Sequence, residues 1–319
     1  MSLIVAVVGP TATGKSDLAL ALAEHLSGEV VNADALQFYR GMDIGTAKLS
    51  VAERRGIVHH QLDVLDPDQD ASVAAYQETA RADIAAIEAR GHRPIVVGGS
   101  GLYLRALLDR IEFPGTDPEV RAALEERAER EGTRALYTEL LAADPAAASS
   151  IGPRNTRRIV RALEVIALTG RPYSANLPGH DYHRPAVQIG LDCDRAELDR
   201  RIALRVDRMW AAGLVEEVRG LLDGGGIGRT ASRAVGYAEV LAALRGEITE
   251  QEARAQVQAG TRRLARKQMG WFGRDPRVHW LDALDPALVD RALALVAAAD
   301  AGTLGPATED PTPRRSLGS

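Results

Sequence analysis

The sequence predicts an α/β fold, in which a parallel sheet carries helices on both faces and a helical insertion interrupts the sheet-forming chain. Short apolar runs alternate with helical patterns over residues 3–108, and such alternation is typical of a parallel sheet. A stretch with only helical patterns then extends to about residue 171. The apolar run 186–194 predicts a strand that returns to the same sheet.

The chain opens with "LIVAVVG", an apolar run that predicts a buried parallel strand. A helix should follow and continue to about Ser27, with Gly28 ending it. The run "EVVNAD", residues 29–34, predicts a second short strand that ends at Asp34. The polar segment after it is predicted to be a loop.

Residues 72–91 carry apolar residues at helical spacing between a serine and a glycine, so they predict a helix with both ends marked. Residues 93–108 repeat the order of strand, glycine turn and helix. Beyond the insertion, 195–213 and 249–272 predict two long helices, the second opening with a capping box. The segment 277–281 predicts an edge strand.

These patterns predict a discontinuous core, an insertion and a tail. The core comprises 1–112 and 186–299, and the helical insertion is 113–185. We expect 300–319 to be disordered, because its low apolar content cannot support a packed core.

Composition favours a cytoplasmic protein. Cys193 is the only cysteine of 319 residues, so no intrachain disulfide can form, and we expect a buried, inert thiol. No apolar run is long enough to span a membrane, and the N-terminus lacks the features of a signal peptide.

Charge is segregated along the chain although the net charge is −5. Residues 153–171 and 261–277 are rich in arginine, and each run contains a single acid. Either run alone could be a solvated helix face, whereas two such runs favour a polyanionic partner. For Trp271 and Phe272, which lie in the second run, we expect core packing rather than base stacking.

The segment "GPTATGKS" fits the phosphate-binding pattern G-x-x-x-x-G-K-[ST] between a predicted strand and a predicted helix, which indicates a P-loop NTPase-like core. Its backbone amides, the lysine and the helix dipole suit an anionic phosphate. The predicted diphosphate-binding residues are Gly9, Pro10, Thr11, Ala12, Thr13, Gly14, Lys15 and Ser16.

The acid that usually ends a second strand in nucleotide-hydrolysing enzymes is missing, because "RPIVVGG" ends in glycines. Asp34 is the only acid that ends an early strand. It could be a magnesium partner, a general base, or a structural cap of a turn. A single carboxylate beside a diphosphate cradle suits group transfer from a diphosphate better than hydrolysis, although a small-molecule kinase stays possible.

A set of motifs occurs in a fixed order and covers about residues 3–282: "GPTATGKS", "NADALQFYRGMDIGTAK", "HHQLDV", "VGGSGLYL", "NTRRIVRALEV", "RVDRMWAAGLVEEV", "SRAVGYAE" and "TRRLARKQMGWF". Together these motifs resemble the bacterial tRNA isopentenyltransferase family. The resemblance implies transfer of a dimethylallyl group from dimethylallyl diphosphate to the N6 amine of an adenosine. That adenosine lies 3′ of the anticodon in tRNAs that read codons beginning with U, and diphosphate is released. The resemblance also implies Mg²⁺ as cofactor and an insertion that helps to hold the anticodon stem-loop.

The resemblance also implies roles for individual residues. Asp34 would be the general base, Thr11 and Arg205 would contact the diphosphate, and Ser16 would ligate Mg²⁺. The implied tRNA-binding residues are Asp34, Ala35, Leu36, Gln37, Ser100, Arg157, Arg158, Ile159, Val160, Arg161, Ser232, Arg233, Ala234, Val235, Gly236 and Tyr237. We expect a monomer that does not bind membranes.

Five residues have structural alternatives. Arg201, Arg205 and Arg208 share one helix face, which without the resemblance would be a solvated face paired with Glu197 or Asp207. The adjacent histidines 59 and 60 are predicted to be structural rather than zinc ligands.

Three alternatives for the activity stay open. A P-loop kinase would consume ATP and would not need the arginine-rich insertion. An RNA-binding GTPase-like module would need a guanine-reading element, which the sequence lacks. A free adenine nucleotide could replace tRNA as acceptor, but the insertion's arginines would then have no partner.

Overall fold

The computed structural model describes residues 2–176 and 179–307, which form two compact units. One unit contains the described residues up to Leu108 and from Tyr182 onward, and the other is Asp109–Asp181. These boundaries lie four residues before the predicted limits of the insertion, 113–185. The backbone N–H of His183 donates to the carbonyl of Leu108 at 2.7 Å, and sequence periodicity does not reveal pairing of this kind.

A parallel sheet organises the first unit, as predicted, and it has six strands rather than the five that the sequence predicted. Its order is β3-β2-β4-β1-β5-β6, so the N-terminal strand is central and the last strand lies at an edge. Val5 of the central strand pairs with Ile95 on one side and Val187 on the other. The strands are β1 Ile4–Val8, β2 Gly28–Asn32, β3 His59–His60, β4 Arg93–Val97, β5 Ala186–Asp192 and β6 Val278–Asp282.

Twelve α-helices occur in the described residues. They are α1 Lys15–Leu26, α2 Val73–Ala89, α3 Gly101–Leu108, α4 Pro118–Glu131, α5 Thr133–Ala143, α6 Pro145–Ile151, α7 Thr156–Thr169, α8 Arg195–Ala211, α9 Leu214–Asp223, α10 Tyr237–Leu244, α11 Glu250–Phe272 and α12 Leu288–Asp300. The capping box predicted at the start of α11 is present between Thr249 and Glu252.

Both faces of the sheet are covered, which confirms the predicted layers. On one face, Ile84 of α2, Leu104 of α3 and Phe272 of α11 belong to one buried cluster. On the other, Leu22 of α1 and Val296 of α12 pack against the strands. Burial on both faces explains why β1 reads as a continuous apolar run.

The second unit consists of helices α4–α7 around their own apolar core, which includes Leu136, Leu140 and Ile159. The carboxylate of Glu164 is fully buried in this unit. Arg121 donates to it at 2.7 Å and Arg161 at 2.8 Å. A buried carboxylate needs such charged partners, so these two arginines help to hold the helices together.

The predicted boundary between the first helix and the second strand needs correction. Helix α1 ends at Leu26, and Ser27 rather than Gly28 takes the left-handed conformation, at φ 50°. Gly28 begins β2, where a Cβ atom would lie 2.8 Å from the carbonyl oxygen of Arg93. Most of the predicted tail, residues 308–319, lies outside the described residues. Among the described helices, none combines the length and hydropathy required of a membrane span.

Candidate active site

The phosphate loop connects β1 to α1 and is held by close backbone packing. Gly9 has φ 130°, and a Cβ atom on it would lie 2.6 Å from the carbonyl oxygen of Leu191. Thr13 donates from its hydroxyl to the carbonyl of Pro10 at 2.8 Å. Gly14 is left-handed at φ 89°, just before the helix begins. These conformations let the loop turn directly into the N-terminus of α1, where anions bind favourably.

Lys15 folds back onto its own loop. Its ammonium group donates to the carbonyl of Pro10 at 2.6 Å. Desolvation lowers the pKa of Lys15 from 10.5 to about 7; nearby Asp34 opposes this shift and Arg205 adds to it. Because Asp34 does not offset the desolvation of this ammonium, the site favours a further negatively charged ligand.

Asp34 follows β2 and points into a cavity of about 400 Å³. Its backbone N–H donates to the Asn32 side chain at 3.0 Å, and its carboxylate accepts the N–H of Leu36 at 3.2 Å. The carboxylate therefore caps a short 3₁₀ turn and also faces the cavity. The structure confirms the interpretation as a turn cap, whereas the roles of general base and magnesium partner stay predictions.

The cavity that contains Asp34 is lined by both apolar and polar side chains. Its apolar lining includes Leu36, Val206, Met209, Val235, Val257 and Leu264. Its polar lining includes Thr11, Asp34, Ser100, Arg205, Lys267 and Gln268. Pockets with this composition suit a small organic ligand that a few polar groups orient.

An open cleft of about 990 Å³ lies on the other side of Arg205. Its lining includes Gly14, Lys15 and Ser16 from the phosphate loop. The lining has a net positive charge, because Lys15, Lys48, Arg54, Arg200, Arg201, Arg205 and Arg208 outnumber the acids Asp17, Asp43, Glu53 and Asp63. Fields from such clustered cations attract anionic ligands.

Arg205 and Met209 line both the cavity and the cleft. The Arg205 guanidinium donates to the carbonyl of Thr46 at 3.1 Å. Desolvation lowers the pKa of Arg205, and Asp34 counteracts this shift. The solvated-face alternative therefore fails for Arg205, whereas Arg201 is paired with Glu197 at 2.9 Å as that alternative proposed. Asp207 pairs instead with Arg254, at 2.6 Å.

Three residues of the first predicted tRNA-binding stretch have defined neighbours. Ala35 donates its N–H to the Ser100 hydroxyl at 3.2 Å. Leu36 lines the cavity, and Gln37 donates to the carbonyl of Thr46 at 3.2 Å. The third stretch contributes Val235 to the cavity, but Tyr237 is fully buried.

The second predicted stretch, on α7, is divided by burial. Arg157 and Arg158 are exposed, whereas Ile159 and Val160 lie in the helical core. Arg161 is bound to Glu164 and to the carbonyls of residues 114 and 115. Contact with RNA through the side chains of 159 and 160 is therefore excluded in this conformation, and the exposed pair is available.

Sequence reasoning missed Gln268. Its side-chain carbonyl accepts the backbone N–H of Thr11 at 2.8 Å, and it lines the cavity. Gln268 also packs so closely on Gly99 that a Cβ atom on that glycine would overlap its amide. Gln268 is a neutral residue within an arginine-rich run, so the charge pattern of that run gave no signal for it.

Trp271 corrects the prediction of core packing, whereas Phe272 confirms it. Phe272 is buried, but Trp271 is 44% exposed and lines the cavity. The indole lies 3.1 Å from the position that a Cβ atom would take on Gly101. An exposed aromatic ring at a cavity mouth is available for stacking.

Cys193 and His60 both have surroundings typical of structural residues. Cys193 is buried, and desolvation raises its pKa to about 11, so it is a poor nucleophile. His60 contacts Glu29 at 2.7 Å and Asp83 at 3.6 Å. No group of three or more His, Cys, Asp or Glu side chains suited to a metal occurs within 2–176 and 179–307.

The chain matches the family model described as IPP transferase over residues 37–275, which is more than half of its length. A tRNA dimethylallyltransferase of Streptomyces avermitilis is 63% identical over 279 residues, which cover 87% of this chain and 89% of the relative. A tRNA dimethylallyltransferase of Thermobifida fusca is 59% identical over 302 residues, covering 93% and 95% of the two chains.

Solved structures agree with these sequence matches. A full-length tRNA isopentenylpyrophosphate transferase from Bacillus halodurans has a TM-score of 0.71 and 38% identity, covering 95% of this chain and 98% of its own. A eukaryotic dimethylallyltransferase acting on tRNA has a TM-score of 0.83 at 24% identity, covering 97% and 82%, and this likeness concerns the fold alone. With phosphate loop, Asp34 cavity and sheet order in place, the chain belongs to the IPP transferase family.

Proposed function

We propose that this protein is a tRNA dimethylallyltransferase, which moves a dimethylallyl group from dimethylallyl diphosphate to the N6 amine of an adenosine 3′-adjacent to the anticodon. The substrates would be tRNAs that read codons beginning with U. One observation carries the proposal. A basic phosphate-loop cleft and a cavity containing Asp34 share Arg205 as a common wall.

The cleft suits the diphosphate. Lys15 and Arg205 supply cationic charge, and the N-terminus of α1 supplies backbone amides. Electrostatic stabilisation of a departing anion is commonly worth about 3–4 kcal/mol per donor. Thr11 lines the adjoining cavity, so it would contact the end of the diphosphate nearest the alkyl group.

The cavity suits a nucleobase and a short alkyl chain. Val206, Met209 and Val235 offer apolar surface for five carbons. Asp34 provides a proton acceptor, and Trp271 offers an exposed ring near the opening. An adenine must leave the stack of the anticodon loop to reach such a site, and aromatic surfaces stabilise extruded bases.

The proposed transfer forms one bond and breaks one. The N6 nitrogen attacks the first carbon of the dimethylallyl group, and the bond from that carbon to the diphosphate oxygen breaks with its electron pair going to oxygen. Asp34 takes the proton that N6 loses. Lys15 and Arg205 stabilise the negative charge that accumulates on the leaving diphosphate.

Mg²⁺ is part of the proposal, and the residues present fit it. The Ser16 hydroxyl lines the cleft beside Lys15, and Mg²⁺ is typically bound by few protein ligands together with waters and substrate phosphates. Ser16 would therefore hold the ion together with the substrate. Bound there, Mg²⁺ would supply further charge stabilisation to the diphosphate.

The exposed arginines 157 and 158 of α7 support an RNA partner, because phosphate contacts fix a nucleic acid in position. Arg263 and Lys267 on α11 are also exposed, so the sheet-containing unit likewise offers basic side chains for phosphate contacts. The monomeric state and cytoplasmic location stay predictions.

The decisive assay supplies the protein with Mg²⁺, radiolabelled dimethylallyl diphosphate and unmodified tRNA, with ATP in a parallel reaction. We expect label in the tRNA and equimolar release of diphosphate. Mapping should place the label on the adenosine beside the anticodon. Hydrolysis or transfer from ATP without labelling of RNA would refute the proposal in favour of a kinase. Labelling of free AMP but not tRNA would refute the tRNA acceptor.

A further inference from the structure

We propose that Glu217 is a positioning residue for Arg205, and that it acts through the loop at residues 43–46. This inference rests on the proposed function, since it assigns a role in binding the diphosphate. Glu217 lies on α9, outside the lining of both the cavity and the cleft. Its effect would therefore be indirect.

The carboxylate of Glu217 gathers donors from three consecutive backbone amides. One oxygen accepts the N–H groups of Asp43 at 2.9 Å and Ile44 at 2.7 Å. The other accepts the N–H of Gly45 at 3.2 Å and the hydroxyl of Tyr237 at 2.6 Å. Four donors on one ionised carboxylate fix its position and that of the loop, because charge-assisted hydrogen bonds are strong.

The loop contacts the site through the backbone carbonyl of Thr46. The Thr46 carbonyl is the acceptor for the Arg205 guanidinium at 3.1 Å and for the Gln37 amide at 3.2 Å. Displacement of the loop would move this carbonyl and release Arg205, whose side chain lies between the cavity and the cleft. Glu217 thus controls the orientation of a group that it does not touch.

Tyr237 and Gly45 fit this arrangement. Tyr237 is fully buried, and desolvation raises its pKa, so the phenol stays protonated and donates to the carboxylate. A Cβ atom on Gly45 would lie 2.5 Å from the Tyr237 ring. Only glycine lets the ring approach the loop closely enough to reach Glu217.

Calorimetric titration of the full chain with inorganic diphosphate and Mg²⁺ tests the proposal without requiring tRNA. Glu217→Gln keeps the size of the side chain but replaces an acceptor with a donor that faces backbone N–H groups. We expect diphosphate affinity about tenfold weaker, in the range usual for residues that orient a ligand-binding group. Glu216→Gln on the same helix is the matched control, because Glu216 is 69% exposed and forms its ion pair with Arg219, away from the loop at residues 43–46.

A double variant distinguishes positioning from general stabilisation. If Glu217 acts through Arg205, Glu217→Gln should cost little further affinity in an Arg205→Ala background. Full additivity, or wild-type affinity in folded Glu217→Gln, would overturn the proposal. If Glu217→Gln fails to fold, Tyr237→Phe is the alternative variant, because it removes one donor from the same carboxylate. It should weaken diphosphate binding by a smaller factor, and unchanged diphosphate binding would overturn the proposal. Absence of diphosphate binding in the wild type would instead overturn the proposed function.

Discussion

Substitution of Asp34 by asparagine should separate the two roles that the structure gives to this side chain. The carboxylate accepts the backbone N–H of Leu36 at 3.2 Å, and it also lines the cavity that we propose for the nucleobase. Asparagine keeps a carbonyl oxygen in the same place, so the cap of the 3₁₀ turn should survive. It cannot accept the proton from N6.

The expected magnitudes differ between two variants. Loss of a general base typically lowers the rate about 10²–10⁴-fold, which is an increase of about 2.7–5.4 kcal/mol in the activation barrier. Asp34→Asn should show this loss in kcat with an almost unchanged free energy of unfolding. Asp34→Ala should show the same loss in kcat and also lose about 0.5–2 kcal/mol of stability, because the cap disappears.

Single-turnover transfer to tRNA, urea unfolding and tRNA binding should be measured on both variants. We expect tRNA affinity to stay close to the wild-type value, because both replacements leave the arginine-rich surfaces intact. If Asp34→Asn transferred the alkyl group within about tenfold of the wild-type rate, Asp34 would be only a turn cap and the reasoning would fail.

Three further predictions follow from the structure. Because desolvation lowers the pKa of Lys15 to about 7, diphosphate binding at pH 7 should take up about half a proton, and diphosphate affinity should fall as the pH rises above 7. Calorimetry in buffers of different ionisation enthalpy measures both quantities. Lys15→Arg should abolish the proton uptake. Trp271→Ala should weaken binding of an anticodon stem-loop about 10–100-fold while leaving diphosphate affinity unchanged, and anisotropy equal to wild type would exclude stacking. Hydrogen bonds from Arg90, and to a smaller extent from His60 and His92, lower the pKa of buried Glu29 to about 2. The ionised Glu29 therefore stabilises the fold fully above pH 4.5, and this stabilisation is lost as the pH falls toward 2. In Glu29→Gln the free energy of unfolding should vary less over that pH range, and a profile parallel to the wild type would contradict this.

The four inner strands, β1, β2, β4 and β5, were predictable because they are buried on both faces and therefore have apolar runs. The two-residue strand β3 was missed, and the order of the strands in the sheet was not predicted. Exact ends were less predictable. Ser27 adopts the left-handed conformation that glycine usually takes, because Gly28 is required for the close approach to β4.

The site was predictable where a residue lies within a motif, as for the phosphate loop and Asp34. Thr46 could not be predicted, because its contribution is a backbone carbonyl that any residue possesses. Gln268 and Glu217 were missed because their partners lie far away along the chain, in the phosphate loop and at residues 43–45. On α7, burial separates the exposed residues of the predicted tRNA-binding stretch from the buried ones, which the arginine-rich sequence alone does not indicate.

The strand β4 lies between β1 and β2, so its carboxyl end separates the phosphate loop from Asp34. That end carries Gly98 and Gly99, where even a methyl group would collide with Ala33 or Gln268. A nucleotide hydrolase commonly places an acid at such a position to organise metal and water. Here the two glycines leave that end of the sheet without an acid, and Asp34 is the one acid among the described residues that line the cavity. While Asp34 serves the acceptor amine, the cavity therefore has no second carboxylate to prepare a water molecule for attack.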